Sequence, residues 1–230
     1  MLGPVHTPAL ALLPTGRLLA EFSLWSADLV RLRDEIVRAE PFADLFHIDV
    51  SDGHFSSRLL FFPDLVARIR AISSTPLHVH LMAEPSILPA QIDQFAEAGV
   101  DLISVHETPG IALEEAFDRI DAHSKAAGLV LAPDVAPESA KPWLERIEFL
   151  TLLGTAVGVK GKGLLPEALP RLRAARALAG NHVRVAADGG IRRETVPQLR
   201  AAGADSVVMG SLAFGSDDLA GTIAWLRTLG

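Results

Sequence analysis

Phe46–His54, FHIDVSDGH, decides the fold. Apolar and polar residues alternate along its first half with the period of a β-strand, so His47 and Asp49 project to one face while Phe46, Ile48 and Val50 project to the other. If the apolar face meets helices, the polar pair points into the interior of a sheet. An unpaired buried carboxylate is too costly to stand there alone, so partners are expected. Residues of the same kind recur: His80 in HVHLM and Asp188 in VAADGG, each at the C-terminal end of a short apolar run. In a (β/α)8 barrel all such strand ends meet on one face, where barrel enzymes place their chemistry.

Working outward, apolar runs of strand length alternate with longer amphipathic stretches, a pattern of βαβ units around a parallel sheet. Eight strands are read near 18–24, 44–50, 76–82, 101–106, 128–132, 147–153, 183–187 and 205–210. Ser26 or Asp28 begins the first helix, Pro63 opens the second and Pro85-Ser86 precedes the third; further helices are expected over 111–126, 138–145, 166–178, 193–202 and 217–228. Gly99, Gly128, Gly180 and Gly203 are read as helix stops. The fold class is therefore α/β, a single-domain TIM barrel over residues 18–230, preceded by a proline-bearing extension over residues 1–17 that packs on a partner subunit.

A formal net charge of -7 without a Lys/Arg cluster argues against a nucleic-acid partner. The absence of cysteine excludes disulfides, thiolate metal sites and thiol nucleophiles. No run of 18 apolar residues and no signal-peptide pattern is read, so the expectation is a cytoplasmic protein without membrane contact. A homo-oligomer is expected.

His47, Asp49, His80 and Asp188 form a mixed nitrogen and oxygen set suited to one divalent ion, Zn, Fe, Mn or Co. Asp188 opens a DGG turn after the seventh strand, and Gly210-Ser211 follows the eighth. Barrels commonly bind phosphate in those two loops, so Gly189, Gly190, Gly210 and Ser211 are read as a phosphate cradle.

From about residue 22 to 215 the chain resembles the ribulose-phosphate 3-epimerase family. FSLWSAD stands for the family's PSILSAD, HIDVSDGHF for HxDxxDGHF, His80-Leu81-Met82 for HLM, SVH ending at His106 for TVH, Asp188–Ile191 for DGGI, and Gly210–Phe214 for GSAIF. The resemblance implies a metal-dependent isomerase acting on a ketose phosphate, with ribulose 5-phosphate/xylulose 5-phosphate as the leading pair. A tetrulose or hexulose phosphate, or a non-catalytic sugar-phosphate sensor, is the alternative. It implies metal ligands His47, Asp49, His80 and Asp188, a metal-stabilised enediolate, Asp49 and Asp188 as the acid/base pair, Ser23 at the substrate, and Met82 in an apolar shield.

Several positions depart from the family pattern. Ser51 replaces a methionine, His78 replaces the aspartate two before the metal histidine, and strand 6 ends in Leu152-Leu153. The family's NPGFGGQ loop is replaced by GTAVGVKGKG over residues 154–163. Gly158, Gly161, Gly163, Lys160 and Lys162 still suit an anion, which makes this loop the expected determinant of specificity. Arg192 and Arg193 are candidates to steer phosphate, and His54 and His106 to line the pocket.

Overall fold

The computed structural model describes residues 8–229. Eight parallel strands close into a barrel: β1 (Leu19–Ser23), β2 (Leu45–Asp52), then, after a two-residue β3 (Leu59–Leu60), β4 (Leu77–Met82), β5 (Leu102–His106), β6 (Ala126–Leu131), β7 (Phe149–Leu153), β8 (Arg184–Asp188) and β9 (Ser206–Met209). Pairing of β1 with both β2 and β9 completes the ring, while β3 pairs antiparallel to the end of β2. Every expected strand is present, and β3 is an addition that folds the His54–Arg58 turn back onto the barrel rim.

Outside the ring lie α2 (Leu32–Ala39), α3 (Pro63–Arg70), α4 (Leu88–Glu97), α5 (Leu113–Ala122), α6 (Ala168–Ala179), α7 (Val196–Ala201) and α9 (Leu219–Arg227); α1 (Pro8–Ala11) precedes the barrel and α8 (Ser211–Phe214) follows β9. Among the described residues no helix is long and apolar enough to cross a membrane. Phe46, Ile48 and Val50 join the core between strands and helices, whereas His47, Asp49 and Ser51 point inward, as the alternation requires. The first helix starts later than expected. Asp28 caps a 3-10 turn by accepting from the Val30 amide, and the α-helix begins only at Leu32. Over 138–145 the chain forms a 3-10 helix (Pro137–Trp143) instead, interrupted by Pro142, which has no N–H to continue an α-helix.

Gly99, Gly180 and Gly203 follow helices with positive φ, but Gly128 does not end a helix. It lies within β6, and a Cβ there would collide with the Ser104 hydroxyl. That strand accordingly begins two residues before the expected Gly128 start.

The barrel interior is layered. At the closed end Leu19, Leu45, Leu102, Ala126, Phe149 and Ala186 form an apolar floor, and Leu10 and Leu13 of the preceding segment pack into it. Leu10 is wholly buried, so residues 8–13 of the expected arm pack Leu10 and Leu13 against the protein's own barrel floor and leave Leu12 exposed; residues 1–7 of that arm lie outside the described residues. Burying such a leucine contributes about 1.5–3 kcal/mol. Above the floor the lining turns polar, and the mouth carries the candidate site.

Candidate active site

β2 and β4 run in parallel with His47 beside His78 and Asp49 beside His80, and β8 brings Asp188 from across the ring. The four expected ligands meet. Oδ1 of Asp49 lies 3.4 Å from both His47 Nε2 and His80 Nδ1, and Oδ2 of Asp188 lies 4.0 Å from each. One donor atom from each residue falls within a group no more than 4.8 Å across. Neither His47 Nε2 nor His80 Nδ1 has a hydrogen-bond partner, although both are buried. Orphaned buried polar atoms are rare and call for an explanation. Donor atoms about 2.0–2.1 Å from one centre in a tetrahedral arrangement stand about 3.4 Å apart, so the two unpartnered nitrogens and the carboxylate between them fit a divalent ion.

The electrostatics agree. Burial pushes Asp49 up, but His47 and His80 more than offset it and hold the carboxyl well below its usual range. Burial raises Asp188 to about 6; His47 pulls it down, and the neighbouring charge of Asp49 pushes it up again. Burial also opposes a charge on His47, yet Asp49, Glu21 and Asp188 together raise its pKa well above the ordinary imidazole value. A cation at the centre of this set would favour both carboxylates in their charged form.

Other expected residues take more specific places. Ser23 lines the cleft and also donates its hydroxyl to Asp49 Oδ2 at 2.8 Å, which fixes the carboxylate plane. Met82 lines the cleft, and so do Leu153, noted in the sequence only as a departure at the end of the sixth strand, and Val208, which was not singled out there. His106 lies behind His80, Nε2 to Nε2 at 2.8 Å, and burial followed by the nearby His80 pushes its pKa well below the usual range. It therefore backs His80 instead of facing the cleft. His54 is exposed on the turn after β2 and does not line the cleft. Asp52, the second aspartate of HIDVSDGH, organises that turn by accepting from the His54, Phe55 and Glu84 amides.

Thr155, Ala156 and Gly158–Lys162 of the 154–163 loop line the cleft at the mouth, with Lys160–Gly163 exposed. Gly189 and Gly190 have positive φ, and a Cβ on the first would strike Thr155 while one on the second would come within 2.8 Å of the Leu164 backbone. The double glycine thus admits the close approach of this loop. Lys160 Nζ donates to the Trp25 carbonyl at 2.9 Å and lies 5.5 Å from the centre of the indole, while Arg192 donates to the Gly161 carbonyl. Lys162 and Arg192 line the cleft; Arg193 stacks on Trp225 instead, 4.6 Å from the ring centre. Gly189, Gly190, Gly210 and Ser211 line the same cleft, with α8 starting at Ser211.

The model of the ribulose-phosphate 3-epimerase family matches residues 19–214. The chain belongs to that family. It is an isomerase of the epimerase class. A relative named ribulose-phosphate 3-epimerase 2, from Cupriavidus necator, is 35% identical over 207 residues, spanning 86% of this chain and 85% of that protein. Ribulose-phosphate 3-epimerase of Bacillus subtilis is 31% identical and spans 89% of this chain and 96% of its own length. Among solved structures, a mutant tryptophan synthase α-subunit from Pyrococcus furiosus superposes with a TM-score of 0.68 at 18% identity over 95% of this chain and 97% of that one. Orotidine 5'-phosphate decarboxylase from Pyrococcus horikoshii superposes with a TM-score of 0.66 at 12% identity, covering 92% of this chain and 98% of its own. At those identities the two structures bear on the barrel fold alone.

The polar residues that the sequence reading passed over lie one layer deeper. Glu21 of β1 accepts from His47 Nδ1 and His78 Nδ1, and His78 was noted only as a departure from the family pattern. A glutamate inside LAEFS, an otherwise apolar strand, was the available signal.

Proposed function

We propose that this member of the ribulose-phosphate 3-epimerase family interconverts ribulose 5-phosphate and xylulose 5-phosphate with one bound divalent ion, Zn, Fe, Mn or Co. The observation that carries the reading is the pair of buried, unpartnered nitrogens, His47 Nε2 and His80 Nδ1, facing Asp49 and Asp188 at the barrel mouth. These four residues would hold the ion. When bound, it would supply positive charge that stabilises the negative charge developing on the sugar's oxygens, worth several kcal/mol.

The carboxylates move the proton. One takes the C3 proton from one face, the C–H electron pair passes into the C2–C3 bond, and charge shifts to the C2 oxygen. The other returns a proton to C3 from the opposite face, and reversal of these roles gives the back reaction. Ser23, bonded to Asp49 Oδ2, keeps that carboxylate from rotating as it gains and loses the proton. Met82, Leu153 and Val208 exclude water from the reacting carbon. Gly189, Gly190, Gly210 and Ser211 receive the phosphate, since they occupy the loops after the last two strands and the start of a short extra helix. Residues 154–163 form the cover, latched to Trp25 by Lys160, with Lys162 and Arg192 adding positive charge on the phosphate side.

The test is a panel of ketose phosphates incubated with the protein in D₂O and followed by NMR. Deuterium is expected at C3 of ribulose 5-phosphate with formation of its epimer. A chelator should abolish this, and added Zn²⁺, Fe²⁺, Mn²⁺ or Co²⁺ should restore it. Absence of C3 exchange in every ketose phosphate would refute the epimerase assignment, and full turnover in protein shown metal-free by elemental analysis would refute the metal.

A further inference from the structure

We propose that Glu21 is a positioning residue for the metal centre: from the layer below, its carboxylate holds His47 in the tautomer that presents a bare Nε2 to the ion. The inference rests on the reading of His47, Asp49, His80 and Asp188 as the metal ligands.

Glu21 is wholly buried on the inner face of β1. A carboxylate in such a place is tolerated only when donors surround it. Three do: His47 Nδ1 at 3.2 Å and His78 Nδ1 at 2.8 Å reach Oε2, and the Ser206 hydroxyl donates to Oε1 at 2.6 Å. Because an ionised carboxylate only accepts, both imidazoles must carry their proton on Nδ1. Their Nε2 atoms then meet different fates. That of His78 accepts from the Ser104 hydroxyl at 2.7 Å, and Ser104 has room because residue 128 is glycine. That of His47 has no hydrogen-bond partner and faces Asp49 and Asp188. His47 is thereby assigned to the ion, while His78 is assigned to support.

Glu21, His47 and His78 also form a group compact enough for a second ion. Their separations argue otherwise. His78 Nδ1 stands 2.8 Å from Oε2, a hydrogen-bond distance and shorter than the roughly 3.3 Å that two ligands of one tetrahedral ion keep. Both ring nitrogens of His78 and both oxygens of Glu21 already have partners. Glu21 and His78 are thus closed by hydrogen bonds, and the unpartnered nitrogens of His47 and His80 lie above them. Behind His80 the equivalent place is taken by the His106 imidazole. Of the pair His47 and His80, it is His47 that a full negative charge backs, which raises its basicity as a ligand. Such carboxylate–histidine support typically contributes 10- to 100-fold in metal affinity.

The experiment measures zinc affinity by competition with a chromophoric chelator for the wild-type protein, Glu21→Gln and Ser104→Ala, alongside thermal melting of each metal-free protein. Glu21→Gln should melt cooperatively and bind zinc 10- to 100-fold more weakly, with KM for ribulose 5-phosphate unchanged at saturating zinc. Ser104→Ala, which disturbs the same network at its far end, should lower the melting temperature and keep zinc affinity within about threefold of wild type. Wild-type affinity in a folded Glu21→Gln would overturn the role of Glu21. Should that variant fail to fold, ¹⁵N-histidine NMR of the zinc-loaded wild type decides: a proton on His47 Nδ1 supports the proposal, and a proton on Nε2 overturns it. A wild-type protein that binds no zinc, iron, manganese or cobalt defeats the metal reading itself, and this inference falls with it; tight wild-type binding with an unaffected variant defeats the inference alone.

Discussion

Replacing Lys160 tests whether residues 154–163 act as a cover. Its ammonium makes two contacts with the segment after β1, the hydrogen bond to the Trp25 carbonyl at 2.9 Å and the stacking at 5.5 Å from the indole centre. An exposed cation–π contact is worth about 0.5–1 kcal/mol. A charged hydrogen bond is worth about 1.5–3 kcal/mol in general, and the solvent around Lys160 reduces this to about 1 kcal/mol. Together they favour the covered arrangement by about 1.5–2 kcal/mol, equivalent to a factor of roughly 10–30. Lys160→Met keeps the apolar stem over Trp25 and removes both contacts. The expected outcome is a 10- to 30-fold fall in kcat/KM for ribulose 5-phosphate in a coupled spectrophotometric assay, with zinc content and melting temperature unchanged. Arg193→Met serves as control, because its stacking on Trp225 lies outside the cleft. A Lys160→Met enzyme within twofold of wild type would refute the latch and return the loop to an ordinary surface turn.

Asp49→Asn and Asp188→Asn should each lower kcat by about 10²- to 10⁴-fold, the usual contribution of general acid–base catalysis, in samples whose metal content has been measured and matched; near-normal turnover in either metal-loaded variant would sink the two-carboxylate scheme. Leu10→Ala should destabilise the protein by about 2–5 kcal/mol, because it empties a wholly buried position against the barrel floor. A denaturant midpoint equal to that of wild type would show that α1 contributes nothing to the folded state.

Periodicity within a strand is local, so the sequence alone placed His47 with Asp49 on one face and counted the eight strands whose C-terminal ends had to converge. The same reasoning reached His80, Asp188 and the glycine turns after the last two strands. It could not say which inward side chains touch. His80 with His106, Glu21 with His47 and His78, and Gly128 under Ser104 are contacts between strands, and each depends on the stagger with which the ring closes. A carboxylate two residues before Ser23 looks out of place in LAEFS until β2, β4 and β9 surround it with donors. The two lysines of the 154–163 loop read alike in sequence. Tertiary packing separates them, because only Lys160 lies within reach of the Trp25 carbonyl, 135 positions earlier in the chain. Arg192 and Arg193 part in the same way, one into the cleft and one onto Trp225. What the chain carries locally is which face each residue takes. Which atoms meet, and therefore which imidazole nitrogen is left open for a metal, is decided by the closed barrel, whose geometry no single strand contains.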